Sequence, residues 1–321
     1  MMVTFTNVVP RSGPLLMLLL VLSALVLPKP LAAQTPAAAY AISDQTTGHL
    51  LDSSNAQKKL QIGSLTKIAT AMVVLDWSEA TRADLGQMAA VPAFNAALAG
   101  TNSVGLQPGD QCSLRDLLYA ALMQSDNVAS ETLAAHVGRA LGPPPKTSPV
   151  THFVGQMNAL ARRLRMSRTR FLNPHGLDTL ERNLPYSTAE DLTRLTAYAM
   201  GKSAFRFYVS QPERKITIMT AAGEQAYLLR NTNELVGKES IDGVKTGTTR
   251  KAGECLIVSA VRPPESRQDG EKVVITPRRI HVVVLGATNR FQVASQLLGR
   301  GWQLYDQWAA AGRPVPARRE K

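Results

Sequence analysis

The sequence predicts an α/β fold: an antiparallel sheet flanked by helices, with a mainly helical subdomain inserted into it. Two observations carry this prediction. Strand-like runs lie near both ends of the chain, and residues 78–200 between them are mostly helical in pattern. With 321 residues, 45% of them hydrophobic and 19% charged, the chain can bury a sizeable core and is not disordered by composition.

The first 33 residues have the pattern of a secretory signal peptide. Arg11 precedes an apolar run at 15–27, and the small residues Ala32 and Ala33 follow after two prolines. The run is too short to span a bilayer comfortably. We therefore expect cleavage after Ala33, export to the periplasm or the extracellular cell-wall space, and a catalytic domain over 34–310.

The elements of the exported part follow from local patterns. Residues 38–43 and 49–53 flank a turn and predict a β-hairpin, and the apolar run at 68–75 suits a buried helix. Further helices are predicted at 115–124, 129–137 and 291–310, and strands at 215–220, 243–246, 255–261 and 280–285. The prolines at 143–145 break the helical region, 173–176 is a turn, 263–277 is a charged hairpin insertion, and 311–321 is a disordered basic tail.

Composition and charge limit the classes of partner. The formal net charge of +12 would favour nucleic acid in a cytosolic protein, but export, scattered basic residues and few aromatic residues argue against it. Weak electrostatic association with anionic envelope polymers or lipids stays open. Cys255 is expected to be a small buried core residue, with a disulfide to Cys112 as the less favoured alternative.

Three short motifs stand in a fixed order along the chain. They are Ser-Leu-Thr-Lys at 64–67, Ser-Asp-Asn at 125–127 and Lys-Thr-Gly at 245–247. The first motif alone is a weak signal of function, but the ordered set of three is a specific signal of a serine nucleophile with a lysine base. Ser64 and Lys67 are spaced to share one helical face, so the Lys67 amine can reach the Ser64 hydroxyl. Burial and a second cation such as Lys245 would lower the pKa of Lys67 enough for it to act as a base.

The second motif lies at a turn between two predicted helices. Ser125 could relay a proton between the two lysines and a leaving amine, and Asn127 offers an amide to hold a substrate peptide bond. Asp126 is expected to point elsewhere in the structure. The alternative for this motif is an ordinary polar turn with a helix cap.

The third motif begins or forms a strand. Gly247 lets another backbone approach closely, and a strand at a cleft edge can bind an extended peptide through its main chain. Lys245, with Thr246 or Thr248, can hold a terminal carboxylate. No metal site is expected, because the five histidines show no close ligand spacing.

With these motifs, the chain resembles the secreted serine D-alanyl-D-alanine carboxypeptidases, the low-molecular-mass penicillin-binding proteins. The supporting strings are GSLTKIAT at 63–70, LRDLL at 114–118, FLNPHGL at 171–177 and DGVKTG at 242–247. The resemblance implies the β-lactamase/transpeptidase-like fold and cleavage of the terminal D-alanine from peptidoglycan stem peptides, with β-lactams as covalent inhibitors and no cofactor.

The resemblance also implies roles for individual residues. Ser64 would be acylated with Lys67 as base, and Ser125, Asn127 and Lys245 would complete the site. The backbone N–H groups of Ser64 and Thr248 would form the oxyanion hole. Two departures are visible: the family's usual middle motif is Ser-Gly-Asn, and the chain stops soon after the catalytic region, so we expect no C-terminal membrane anchor.

Three alternatives use the same residues. A class A β-lactamase would carry its deacylating glutamate three residues before Leu172, where this chain has Thr169, so penicillin is expected to inhibit rather than to be hydrolysed. A D,D-endopeptidase that cuts peptidoglycan cross-links is the close runner-up. A catalytically silent sensor of β-lactams or peptidoglycan is the third alternative. His175 is expected to be a structural turn residue.

Overall fold

The computed structural model describes residues 36–178 and 184–315. The predicted signal peptide at 1–33 and the end of the predicted tail lie outside these residues. In the described part of the chain, the strands are β1 (Ala37–Asp44), β2 (Leu50–Ser54), β3 (Met88–Ala90), β4 (Gln111–Ser113), β5 (Glu213–Thr220), β6 (Gly223–Arg230), β7 (Ile241–Thr249), β8 (Gly253–Asp269) and β9 (Lys272–Ala287).

The helices and the main sheet match the predicted fold class. The helices of the described residues are α1 (Lys67–Thr81), α2 (Ala96–Ala99), α3 (Leu114–Leu122), α4 (Asn127–Ala140), α5 (Pro149–Arg163), α6 (Ala189–Gly201), α7 (Ser203–Val209) and α8 (Arg290–Ala310). The main sheet has the order β2-β1-β9-β8-β7, and all its neighbouring strands are antiparallel. It is built from both ends of the chain, so the predicted arrangement is confirmed.

Alternation along the central strands places apolar side chains on both faces of this sheet. On one face Ile42, Val258 and Val282 pack with α8 in one apolar cluster. On the other face Ala41 and Val283 belong to the larger cluster, which includes α1 and the helical region. Burial on both faces explains the nearly continuous apolar runs of β8 and β9, and it makes this sheet the support for the site.

A second, smaller sheet was not predicted. Its order is β3-β4-β5-β6, so the strand at 213–220 does not join the main sheet. Cys112 of β4 pairs with Ile218 of β5, and β6 pairs with β5 along its whole length. β6 is largely exposed, with Leu229 as its one fully buried side chain, and a strand that buries so few side chains lacks the alternation by which a sequence pattern reveals it.

The predicted hairpin at 263–277 is present, but its strands are longer than expected. β8 and β9 continue to Asp269 and Lys272, well past the edges of the main sheet. The register shifts between Arg262 and Glu265, where two prolines interrupt the ladder. Proline lacks the N–H that a ladder needs, so a bulge is where it can be accommodated.

Both cysteines and the last helix agree with the predictions. Cys112 and Cys255 are buried and unpaired. α8 matches the predicted helix at 291–310 to within one residue at its start. After it, the Pro314 carbonyl accepts a hydrogen bond from Trp308, within the segment predicted as a tail. Within the described residues, no helix has both the length and the apolar character that a membrane span requires.

Candidate active site

The predicted nucleophile lies on a tight turn that leads into a buried helix. Gly63–Thr66 forms one turn of 3₁₀ helix, and α1 begins directly after it at Lys67. Ser64 is half-buried, whereas Lys67 is fully buried. The Lys67 Nζ lies 2.9 Å from the Ser64 Oγ. The i, i+3 spacing therefore brings the two groups into contact, as the sequence predicts.

The Lys67 amine has two further partners, and both of them only accept hydrogen bonds there. Nζ donates to Asn127 Oδ1 at 2.5 Å and to the carbonyl oxygen of His175 at 2.8 Å. A neutral amine has two N–H bonds and one lone pair. When the two acceptors occupy the N–H bonds, the lone pair is left facing the Ser64 hydroxyl. This is the orientation that a base needs.

Electrostatics favour the neutral form of this amine. Burial lowers the pKa of Lys67 to about 7, while the charge of Asp126 acts in the opposite direction. Burial, then the charges of Lys67 and Arg290, hold the pKa of Lys245 well below its usual value. A lysine with a pKa near 7 is partly neutral at neutral pH, as general base catalysis requires.

The second motif forms a tight connection between α3 and α4. Ser125 has φ +65°, and the Asp126 carboxylate caps α4 by accepting from the Ala129 N–H at 2.7 Å. Asn127 is the first residue of α4, which places its amide on Lys67. Asp126 points away from the amine, as expected. Within residues 36–178 and 184–315, no hydrogen bond joins Ser125 to either lysine.

The third motif lies within β7 at the edge of the main sheet. Lys245 is fully buried, and its Nζ donates to the carbonyl oxygen of Thr246 at 3.0 Å. The Thr246 hydroxyl lies 2.6 Å from that of Thr232. Thr248 is exposed and lies just beyond Gly247. The motif therefore presents one buried amine and one accessible hydroxyl on the same strand.

Gly247 allows β7 to pass directly against the serine turn. A Cβ added to Gly247 would lie 2.7 Å from the Ile62 carbonyl oxygen and 3.2 Å from the Ser64 amide nitrogen. A Cβ added to Gly63 would lie 3.2 Å from the Thr248 amide nitrogen. The two amides named for an oxyanion hole thus belong to adjoining backbone segments, which only glycines at these positions let approach so closely.

Two contributions to the site were missed by the sequence analysis. The first is the carbonyl of His175, which a main-chain atom contributes without any residue-type signal. The second is Arg290 at the start of α8. Its Nη1 donates to the Thr248 hydroxyl at 2.6 Å and to the Gly247 carbonyl at 3.2 Å. Arg290 lies far from the third motif in sequence, so only the fold brings them together.

Thr169 occupies the position at which a class A β-lactamase would carry a glutamate. Its hydroxyl lies 2.8 Å from the hydroxyl of Ser187 and donates to the Asp191 carboxylate at 2.8 Å. Asp191 also accepts from the Arg168 N–H at 2.9 Å. These contacts join the segment around Thr169 to the first turn of α6, where Asp191 lies.

The family model of D-alanyl-D-alanine carboxypeptidases matches residues 28–275. The chain is 31% identical over 285 residues to the D-alanyl-D-alanine carboxypeptidase DacC of Escherichia coli, covering 86% of this chain and 63% of that protein. It is 33% identical over 233 residues to a D-alanyl-D-alanine endopeptidase of Pseudomonas aeruginosa, covering 71% of this chain and 68% of that protein.

Among solved structures, the fold is similar to that of a penicillin-binding protein from Listeria monocytogenes with bound ampicillin. The TM-score is 0.64 at 29% identity, covering 83% of this chain and 97% of that chain. The chain spans about two thirds of the length of the curated relatives, with 63% of DacC covered. The chain belongs to the D-alanyl-D-alanine carboxypeptidase family.

Proposed function

We propose that this protein is a serine D-alanyl-D-alanine carboxypeptidase, which removes the terminal D-alanine from peptidoglycan stem pentapeptides. The observation that carries the proposal is the contact of the Lys67 amine with the Ser64 hydroxyl at 2.9 Å, with both other acceptors in place. The names of the family and of the relatives supply the substrate class.

The acylation step follows from this arrangement. Neutral Lys67 takes the proton of the Ser64 hydroxyl as Oγ bonds to the carbonyl carbon of the penultimate D-alanine. The developing oxyanion accepts from the N–H groups of Ser64 and Thr248. As the intermediate collapses, the C–N bond breaks, and the leaving amine of D-alanine takes the proton from Lys67, with Ser125 as the relay.

Deacylation reverses the roles with water as the nucleophile. Lys67 accepts a proton from water as the water oxygen bonds to the ester carbon, and the Ser64 oxygen leaves and recovers its proton. Lys245, Thr246 and Thr248 are proposed to hold the terminal carboxylate of the substrate. Arg290 adds a positive charge beside Thr248.

Penicillin is proposed to acylate Ser64 and to remain attached. A relative of similar fold has been solved with ampicillin bound. Thr169 supplies no carboxylate to activate water, so the acyl-enzyme should be long-lived. Rapid hydrolysis of a chromogenic β-lactam would contradict this part of the proposal.

A second candidate function is D,D-endopeptidase activity on peptidoglycan cross-links. The relative with 33% identity carries that name. The two activities share the same catalytic residues and differ in the length of the substrate, so a cross-linked muropeptide dimer distinguishes them from one another. A silent sensor on the same fold would be labelled by penicillin and would turn over neither substrate.

The test labels the protein with fluorescent penicillin and measures the mass of the intact labelled protein. A parallel assay measures the release of D-alanine from a pentapeptide ending in D-alanyl-D-alanine. We expect one label per chain, loss of the label in Ser64→Ala with the fold retained, and release of D-alanine by the unchanged protein. Cleavage of the dimer without release from the pentapeptide would establish the endopeptidase. Absence of labelling would overturn the proposal.

Export and envelope association are further parts of the proposal. The signal-like segment at 1–33 and the net charge of +12 support them. Fractionation of cells that express the full chain, together with the mass of its N-terminus, tests export and cleavage. Binding to anionic vesicles that weakens as salt is raised tests the electrostatic part.

A further inference from the structure

Glu131 lies on α4 one helical turn after Asn127 and outside the three motifs. Residues four apart share a helix face, so Glu131 faces the same region as the amide that contacts Lys67. Its side chain is 20% exposed, and its Oε2 lies 4.0 Å from Nε2 of His175. Burial raises the pKa of Glu131. The pair joins α4 to the turn at 173–176.

Hydrogen bonding assigns the tautomer of His175. The Leu177 N–H donates to Nδ1 of His175 at 3.2 Å, so Nδ1 carries the lone pair. Burial, and then the charge of Lys67, lower the pKa of His175 to about 3, so the ring is neutral at neutral pH. The single proton of a neutral ring is then on Nε2, which faces the Glu131 carboxylate.

The main chain of the same residue reaches the proposed base. The His175 carbonyl accepts from the Lys67 Nζ at 2.8 Å. Asn173 holds the turn from within by accepting from the Gly176 N–H at 2.6 Å, and Thr70 donates to the Pro174 carbonyl at 2.6 Å. The His175 ring is held at Nδ1 by the Leu177 N–H, and the Glu131 carboxylate faces its other nitrogen at 4.0 Å.

We propose that Glu131 is a positioning residue, whose carboxylate attracts the Nε2–H side of the His175 ring from 4.0 Å and so keeps the His175 carbonyl within hydrogen-bond distance of the Lys67 amine. This inference rests on the proposed function of the Ser64–Lys67 pair. Glu131 acts here through His175, and its contribution is to keep the lone pair of Lys67 directed at Ser64.

The charged groups around Lys67 set the direction of the expected pH effect. The carboxylate of Asp126 is directed at the start of α4, but its charge raises the pKa of Lys67. Lys245 lies on β7 with its pKa well below its usual value, and Glu131 lies beyond the neutral His175 ring. A carbonyl acceptor stabilises the ammonium form. If the carbonyl moves away, the pKa of Lys67 falls, and the acid limb of the acylation rate shifts to lower pH while the maximal rate drops.

The experiment compares Glu131→Met with Glu131→Gln by the rate of acylation of Ser64 by penicillin, from about pH 5 to about pH 10. Methionine keeps the volume and removes the acceptor. Glutamine keeps an acceptor and removes the charge. We expect roughly a tenfold lower maximal rate and a shifted acid limb for Met, and a nearly unchanged profile for Gln.

Glu190→Met is the matched control. The side chain of Glu190 is 23% exposed, a fraction similar to the 20% of Glu131. It forms an ion pair with Arg194 on α6 and does not contact the site. Its acylation profile should equal that of the unchanged protein. An equal loss in all three variants, or an unchanged profile in Glu131→Met, would overturn the inference while leaving the proposed function intact.

A measurement on the unchanged protein keeps the inference testable if Glu131→Met does not fold. Nitrogen-15 NMR of labelled histidines, with His175→Gln for assignment, should show the neutral Nε2–H tautomer at neutral pH. The Nδ1–H tautomer would overturn the inference. Failure of penicillin to label the unchanged protein would overturn both the proposed function and this inference.

Discussion

At the scale of the residue, the contacts of Asp126 explain why an aspartate lies between Ser125 and Asn127. Its carboxylate caps α4 at the Ala129 N–H and accepts from the Val104 N–H at 3.0 Å. The group is fully buried. A glycine in this position could make neither bond. The side chain therefore stabilises the turn that carries Ser125 and Asn127, a role separate from the chemistry proposed for them.

Asp126→Ala is expected to lower the free energy of unfolding by about 3 kcal/mol, because two buried N–H groups lose their acceptor. Ser148→Ala, which removes the cap of α5 at an exposed site, should cost only about 1 kcal/mol. Urea unfolding of the two variants measures the difference. Equal losses would show that the Val104 bond contributes little.

The pKa of Lys67 predicts the pH dependence of acylation. The neutral amine is the base, and its pKa is about 7. Below that value the rate should fall about tenfold per pH unit, because the neutral fraction falls by that factor, and above it the rate should level off. Stopped-flow labelling with fluorescent penicillin measures it. A rate that still rises steeply near pH 10 would mean that Lys67 keeps an ordinary pKa.

At the scale of elements, the site depends on two close backbone contacts around the serine turn. One is with β7 at Gly247, and the other is with the turn at 173–176. A Cβ added to Gly176 would lie 1.9 Å from the Gly63 carbonyl oxygen, and Gly176 has φ +87°. The backbone of the turn that presents the His175 carbonyl thus packs directly against the backbone of the segment that holds Ser64.

Gly176→Ala is expected to lower the free energy of unfolding by more than about 3 kcal/mol and to slow acylation, since the clash is with backbone. Gly142→Ala is the matched control: it has φ +68° with nothing within 4 Å of the added Cβ. It should cost only about 1 kcal/mol of backbone strain. Thermal unfolding and penicillin labelling of both variants separate the clash from the strain.

At the scale of the whole molecule, a polar row crosses the central strands of the main sheet. In the strand register, His281 on β9 lies opposite Ser43 on β1 and opposite Ser259 on β8. All three residues are fully buried. Burial, and then the charge of Arg279, lower the pKa of His281 to about 3. The fold therefore holds this histidine in its neutral form.

This histidine predicts a loss of stability in acid. The unfolded chain takes up a proton on His281 below about pH 6.5, but the folded chain does so only near pH 3. The free energy of unfolding should therefore fall by about 1.4 kcal/mol per pH unit between these values. His175, with its pKa also lowered to about 3, contributes in the same direction.

The measurement is urea unfolding at about pH 7 and about pH 4. His281→Asn should lose less stability between the two pH values than the unchanged protein does, whatever its stability at neutral pH. Ser43→Ala, which alters packing beside His281 without removing a titratable group, should keep the unchanged pH dependence. The same pH dependence in His281→Asn would rule out His281 as the cause.

Local spacing and apolar periodicity were enough to predict much of this protein. The contact of Ser64 with Lys67 follows from three residues of separation at a helix start. The main sheet follows from apolar strand runs at both chain ends, and α8 follows from its apolar face. In each case the determining interaction lies within a few residues, or the buried side chains dominate the pattern.

The tertiary structure alone decided the parts that depend on distant backbone. The His175 carbonyl on Lys67 and Arg290 on Thr248 join segments far apart in sequence, and a carbonyl carries no residue-type signal. The small sheet was missed because β6 buries only Leu229 fully and so shows no apolar alternation. Sequence patterns record which side chains are buried together, whereas the orientation of the proposed base depends on where the fold directs main-chain atoms.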